Sequence, residues 1–173
     1  MILETREHVD APLDQAWDRI VDPSVWRACT PGLAAFMPGH GGDFGMTVAV
    51  GSAGAPAEVR FERLEASPPE RLRLRMVAKH DRGSADAELV VTLGEVDEGT
   101  QFHVRCDLQL GGELLQRDSH ELASDARELV ARFFTRLDAA SLCAGAAPAP
   151  PEREPESAER RGWWARWRGK RRG

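Results

Sequence analysis

Few residues of this 173-residue chain have a type and spacing suited to chemistry. The five histidines, His8, His40, His80, His103 and His120, are scattered, and no two stand at a metal-binding spacing such as His-x-x-x-His. Cys29, Cys106 and Cys143 are odd in number and lack metal spacing, which suits a reducing compartment. No Ser, Cys or Asp falls in a nucleophile motif. Two acids remain. Glu7 shares strand parity with apolar neighbours, where burial raises a carboxyl pKa. Asp118 stands beside Ser119 inside an otherwise apolar helical stripe. The sharpest cluster is terminal: Trp163, Trp164 and Trp167 share one helical side among Arg160, Arg161, Arg166, Arg168, Lys170, Arg171 and Arg172. Tryptophan favours lipid headgroups, and each basic residue near an anionic leaflet contributes about 1 kcal/mol.

These groups are positioned by two kinds of element. From Phe44 to Leu110, apolar residues alternate with charged ones in five runs separated by short Gly, Pro and Asp turns. That pattern predicts an antiparallel meander with one buried face and one solvated face. A strand over residues 2–10 precedes it, then a helix from Ala11-Pro12, a short helix from Pro23 to Cys29 and a short strand from Leu33 to Pro38. After Gly111-Gly112 come thirty residues without Pro or Gly, in which Leu115, Leu122, Ala126, Leu129, Phe133 and Leu137 recur at helical period. The spacing predicts one helix from Gly111 to Leu142, roughly 45 Å long, lying across the sheet.

The predicted fold class is therefore α+β: a curved antiparallel sheet wrapped around a long C-terminal helix, with two short helices after the first strand. Residues 1–143 form the domain, 144–159 a Pro/Ala/Glu-rich linker and 160–173 a basic Trp-rich tip. Net charge is −5, split into −9 over residues 1–151 and +4 over residues 152–173, so body and tip face different partners. The first residues lack a charged-then-apolar signal pattern, and no window reaches 18 apolar residues.

The order of elements resembles the helix-grip (START/Bet v 1-like, SRPBCC) superfamily. Four stretches resemble one branch, the small CoxG-like proteins that accompany molybdenum carbon monoxide dehydrogenase. They are Val9-Asp10-Ala11-Pro12 through Ala16-Trp17, Cys29-Thr30-Pro31-Gly32, Pro68-Pro69-Glu70-Arg71-Leu72, and Gly111-Gly112-Glu113-Leu114 followed by Phe133-Phe134. Glu7 departs from the branch, where an aromatic or apolar residue is usual, and Gln116 to His120 is more polar than its norm.

A sheet gripping a helix commonly encloses a cavity for apolar ligands. Inward parity nominates Met37, Met46, Val59, Phe61, Leu74, Met76, Leu89 and Leu122 as lining, each of which also reads as plain core. Ser119 is nominated as a donor to a ligand carbonyl, or else belongs to a solvated helix end. The expected occupant is a quinone or lipid, with no covalent cofactor, no metal and no catalytic residue. The resemblance implies a molybdenum hydroxylase as partner, and the tip implies an anionic membrane surface on the cytoplasmic side. Polyanion binding and an untargeted solubilising end are the other readings of the tip, and nucleic acid is not expected. A cyclase/dehydratase enzyme acting through Glu7 or Asp118, and an adaptor without ligand, are the alternatives for the domain. Changing Trp163, Trp164 and Trp167 together to Ala is expected to abolish co-sedimentation with anionic vesicles. Unchanged sedimentation that high salt alone reverses marks the tip as a plain polycation.

Overall fold

Period-two alternation in the middle of the chain becomes five of the seven antiparallel strands of one sheet. The computed structural model describes residues 1–50 and 54–142, so Cys143, the proposed linker and the ten nominated tip residues lie outside the described residues. The strands are β1 Ile2–Val9, β2 Leu33–Pro38, β3 Phe44–Val50, β4 Ala55–Ser67, β5 Arg71–His80, β6 Gly83–Val96 and β7 Gly99–Gly112. Their order is β1-β7-β6-β5-β4-β3-β2, with each neighbouring pair antiparallel. Between β1 and β2 stand α1 Leu13–Ile20 and α2 Pro23–Cys29, and after β7 comes α3 Ser119–Leu142. This is the predicted helix-grip arrangement, with a longer meander than the alternation alone implied.

The outer face carries the charged half of each strand. Arg73 bridges Glu88 at 2.7 Å and Glu65 at 3.2 Å, Arg75 meets Asp86 at 2.8 Å, and Arg105 meets Glu4 at 3.3 Å. Such exposed pairs contribute little to stability but keep this face wet. The inner face holds the core, and its centre is aromatic. The Trp26 ring lies 5.0 Å from Phe133, 5.2 Å from Phe61 and 5.3 Å from Phe44, while Phe44 stacks on Phe61 at 4.8 Å. Trp26 thus joins α2, α3, β3 and β4. Its indole N–H donates to the Ile20 carbonyl at 2.8 Å, so burying the ring leaves no orphan donor. Local sequence fixes the ring's position: Pro23 opens α2 at a position that needs no N–H, and the Asp22 side chain accepts from the Ser24 N–H at 2.8 Å.

The long helix differs from expectation at its start. It does not begin at Gly111: β7 pairs with β6 as far as Gly83 opposite Gly112. Gly112 then turns the chain out at φ 71°, a value open to glycine, and Glu113–Gln116 form one 3-10 turn. Arg117 is extended, and the Asp118 carboxylate accepts from the His120 N–H at 2.7 Å while its carbonyl accepts from Leu122 at 3.1 Å. Asp118 is therefore the N-cap of α3, with Glu121 at capping-box spacing. Leu115, on the 3-10 turn, is 65% exposed, and Leu129 is 42% exposed, so neither belongs to the buried stripe. Ala123, Phe133, Phe134 and Leu137 form it, with Leu122, Ala126 and Val130 half-buried.

Polar bonds tie the second half of α3 to the rest of the domain. Arg136 donates to the Thr30 carbonyl at 3.2 Å, and Asp138 accepts from the Asp10 N–H at 2.7 Å. In the first half, Arg117 pairs with Asp125 at 3.3 Å and approaches Glu121 at 3.9 Å, contacts local to that segment. Trp26→Ala is expected to cost about 3–5 kcal/mol in denaturant unfolding, as for other large core aromatics. Asp118→Ala is expected to cost about 1 kcal/mol, the value of a lost N-cap.

Candidate functional site: the open end of the inner face

Strand register sets out the inner face as rows running across the sheet. One row reads Phe44, Phe61, Met76, Ala87, Leu108, and the next reads Met46, Val59, Ala78, Ala85, Leu110. In the other direction lie Leu74, Leu89, Cys106, Leu3 and then Leu72, Val91, Val104, Thr5. Burial is graded along these rows. Leu72, Leu74, Val91, Leu93, Phe102 and Val104 are buried beneath the clamped half of α3, where Phe134 meets Phe102 at 4.9 Å. Met76, Ala78, Ala85, Leu89, Cys106, Leu108 and Leu110 are only half-buried, although they face the same way.

The open end is also lined by small residues. Ala78 and Ala85 stand there half-buried at inward positions on adjacent strands, next to the buried Ala57 and Ala87. The nearest large neighbours, Met76, Leu89, Leu108 and Leu110, rim this stretch rather than fill it. The 3-10 turn packs beside it against β6 and β7. The result is a half-buried apolar stretch, a recess in side-chain bulk only, where the β5–β6 hairpin, the end of β7 and the start of β1 meet. Such a surface suits an apolar ligand, and a half-buried Met adapts to several ligand shapes.

The nominated lining residues divide accordingly. Met76, Leu89 and Leu122 lie at the open end, half-buried. Met46, Val59, Phe61 and Leu74 are buried in the main cluster. Met37 is buried but outside the main cluster: it stands opposite Gly45, whereas Phe36 stands opposite inward Met46 and stacks with Phe44 at 5.7 Å. A register irregularity between Leu33 and Ala35 accompanies this pairing, which alternation in a six-residue strand did not reveal. Ser119 is exposed in the first turn of α3 and does not reach the recess. Sequence pattern does not single out Ala78, Ala85 and Ala87, because small residues look ordinary until their neighbours across the sheet are known.

Polar groups on the inner face are few. Glu7 points inward beside Phe102, half-buried. Desolvation pushes its carboxyl above the usual carboxylate range, and the nearby Thr5 hydroxyl acts the other way. Burial likewise raises the Cys106 thiol, and Asp107 adds to the rise. His8 and His103 face outward, His8 against the Glu98 carbonyl and His103 3.9 Å from Glu4. Among the described residues no group of three or more His, Cys, Asp or Glu is placed to hold a metal ion. Two shallow hollows of about 230 and 180 Å³ lie on the charged outer face around Arg75, Glu88 and Asp107. They are grooves between solvated side chains, away from the apolar recess.

Among solved structures, the chain is similar to a conserved protein from Geobacillus kaustophilus, with a TM-score of 0.77, 19% identity, and 83% of this chain and 97% of that one covered. It is also similar to a START superfamily protein from Mycobacterium smegmatis, with a TM-score of 0.62, 11% identity and coverage of 80% and 95%. A third likeness is to the di-domain ARO/CYC StfQ of the steffimycin biosynthetic pathway, with a TM-score of 0.57, 12% identity and coverage of 83% and 52%. At these identities the likeness is one of fold. No curated protein matches in sequence. The family described as polyketide cyclase / dehydrase and lipid transport matches residues 2–141, and this chain, with its seven-stranded sheet and long C-terminal helix, belongs to that family.

Proposed function

We propose that this protein is a non-enzymatic carrier for an apolar molecule, a quinone or a lipid, and that it serves a molybdenum hydroxylase at the inner face of the cytoplasmic membrane. The observation that supports the carrier is the graded inner face: one end closed by Trp26, Phe133 and Phe134, the other apolar, small-lined and half-exposed. Family membership supports it in kind, since the family's own description includes lipid transport. The membrane half of the proposal comes from the sequence of residues 160–173, and the hydroxylase from the four stretches that resemble the CoxG-like branch. A soluble redox enzyme cannot reach a quinone dissolved in lipid. A carrier with a membrane-seeking tip closes that gap. No described helix is long and apolar enough to cross a membrane, which suits attachment through the tip.

Glu7 favours a second reading, a cyclase or dehydratase. It is the inward acid with a raised pKa, and related folds include the di-domain ARO/CYC protein. Asp118 does not support that reading, because its carboxylate is engaged in capping α3. The enzyme reading therefore rests on Glu7 alone.

Organic extraction of the purified chain, with and without residues 144–173, followed by mass spectrometry, tests the carrier. A stoichiometric quinone or lipid recovered from both forms is expected; recovery from neither, with vesicle binding intact, leaves only an adaptor. Glu7 gives a separate check through pH. Its folded pKa is raised, so the folded state holds this proton more tightly than the unfolded chain. Its contribution to stability is present below the ordinary carboxylate range and is lost as pH rises through the raised value. Glu7→Gln is thus expected to raise Tm at about pH 7 and to leave it unchanged near pH 3.5. A retained phenotype in the same variant removes the enzyme reading.

A further inference from the structure

Two leucines on one flank of α3 stay outside the core cluster: Leu122, half-buried, and Leu129, 42% exposed. They are seven residues apart, about two helical turns, so they share one line along the helix. Leu115, 65% exposed on the 3-10 turn, is held near the same flank, because Arg117 two residues on pairs with Asp125 at 3.3 Å and approaches Glu121 at 3.9 Å. Beside the leucines runs a row of acids, Glu121, Asp125 and Glu128, with side chains 70%, 61% and 72% exposed. Asp118, one turn before Leu122, adds a fourth carboxylate. Arg117 and Arg132 are the basic residues that meet this row, and Arg127 lies about 160° round the helix from Leu129. The flank is therefore apolar along its centre and net acidic at its edge.

Such a surface suits an occupant that is both apolar and cationic. A second copy of this chain does not fit, since a two-fold contact along the leucines would set the acid row against itself. An anionic membrane is repelled in the same way. The matching segment belongs to the chain itself, outside the described residues. From Arg160 to Gly173 it holds Trp163, Trp164 and Trp167 among seven Arg and Lys, with no acid. Its tether leaves from the end of the same helix. The 17 residues from 143 to 159 span at most about 56 Å when fully extended. Along α3, Leu142 stands about 20 Å from Leu129 and about 30 Å from Leu122. The tip thus reaches the leucines, and a tether of this length presents it to them at an effective concentration on the order of mM.

We propose that the tip, residues 160–173, docks on the leucine line of α3, and that its own domain and an anionic membrane compete for it. The competition rests on the membrane reading of the tip; the docking does not. In the docked state the tryptophans cover Leu115, Leu122 and Leu129, and the basic residues meet Glu121, Asp125 and Glu128. An anionic leaflet draws the tip away. The chain then presents this flank of α3 only where a membrane has taken the tip.

Lys79 and Lys170 are the only lysines of the chain, so carbodiimide coupling of amine to carboxylate reads the docking without a mutation. In the monomeric full chain at low salt, peptides joining Lys170 to Glu121, Asp125 or Glu128 are expected. They are expected to disappear when Trp163, Trp164 and Trp167 are changed to Ala. Their absence from the unmodified chain, whatever else Lys170 joins, overturns the docking. Vesicles of mixed phosphatidylserine and phosphatidylcholine test the competition. A tip held by its domain about nine-tenths of the time binds vesicles about tenfold more weakly than a free one. The double variant Leu115→Gln, Leu129→Gln is therefore expected to bind these vesicles about tenfold more tightly than the unmodified chain. Unchanged binding overturns the competition, and so does weaker binding, which would mean that the leucines themselves touch lipid. Failure of both chains to bind vesicles, with the Lys170 peptides present, overturns the membrane reading and the competition while the docking stands.

Discussion

The indole of Trp26 is the contact on which this architecture depends. A sheet and a helix alone would meet along the whole length of α3. Here the indole, fixed by the Asp22-Pro23 start of α2, is wedged between the sheet aromatics Phe44 and Phe61 and the helix residue Phe133. The wedge sits toward one end. It closes that end and holds the second half of α3, with Arg136 and Asp138 adding polar ties. The other end is left with a capped helix start and a 3-10 turn. An apolar surface half-covered in this way is costly in water, and a ligand that buries it recovers hydrophobic free energy at about 25 cal/mol per Å².

Function follows from that asymmetry. Packing density supplies rigidity at the clamped end, and the alanines of β5 and β6 leave less side-chain bulk at the other. Charge is divided as well, with ion-paired ladders on the outer face of a net acidic body and the basic residues of 160–173 beyond the described domain. In the proposed carrier these are separate tasks, the body holding the molecule and the tip choosing the surface.

Much of the fold is legible because strand alternation and turn residues are local signals. The bounds of α2 and β2 follow from Asp22-Pro23, from the Thr30-Pro31-Gly32 turn and from Pro38-Gly39. What sequence pattern misses depends on partners distant in the chain. It misplaces the helix start because Gly111-Gly112 looks like a break, whereas β6 is long enough to keep pairing through it. Asp118 and Ser119 look like polar intruders in a stripe and are instead a cap and a first turn. Met37 falls outside the main cluster because the parity of β2 is set by pairing with β3. The recess is invisible in sequence because it is made of residues that are absent in bulk rather than present in pattern.

The central claim is that an apolar molecule occupies the half-covered end of the inner face, and Cys106 reports on that space directly. It lies inward between Leu89 and Leu3, half-buried, while Cys29 is fully buried. In a Cys143→Ser chain, the rate of Cys106 alkylation by a small maleimide can be followed against added durene. The account predicts a saturable slowing of Cys106 modification at concentrations that leave the unfolding transition two-state. An alkylation rate that does not change with durene, in protein shown to be folded, would contradict it.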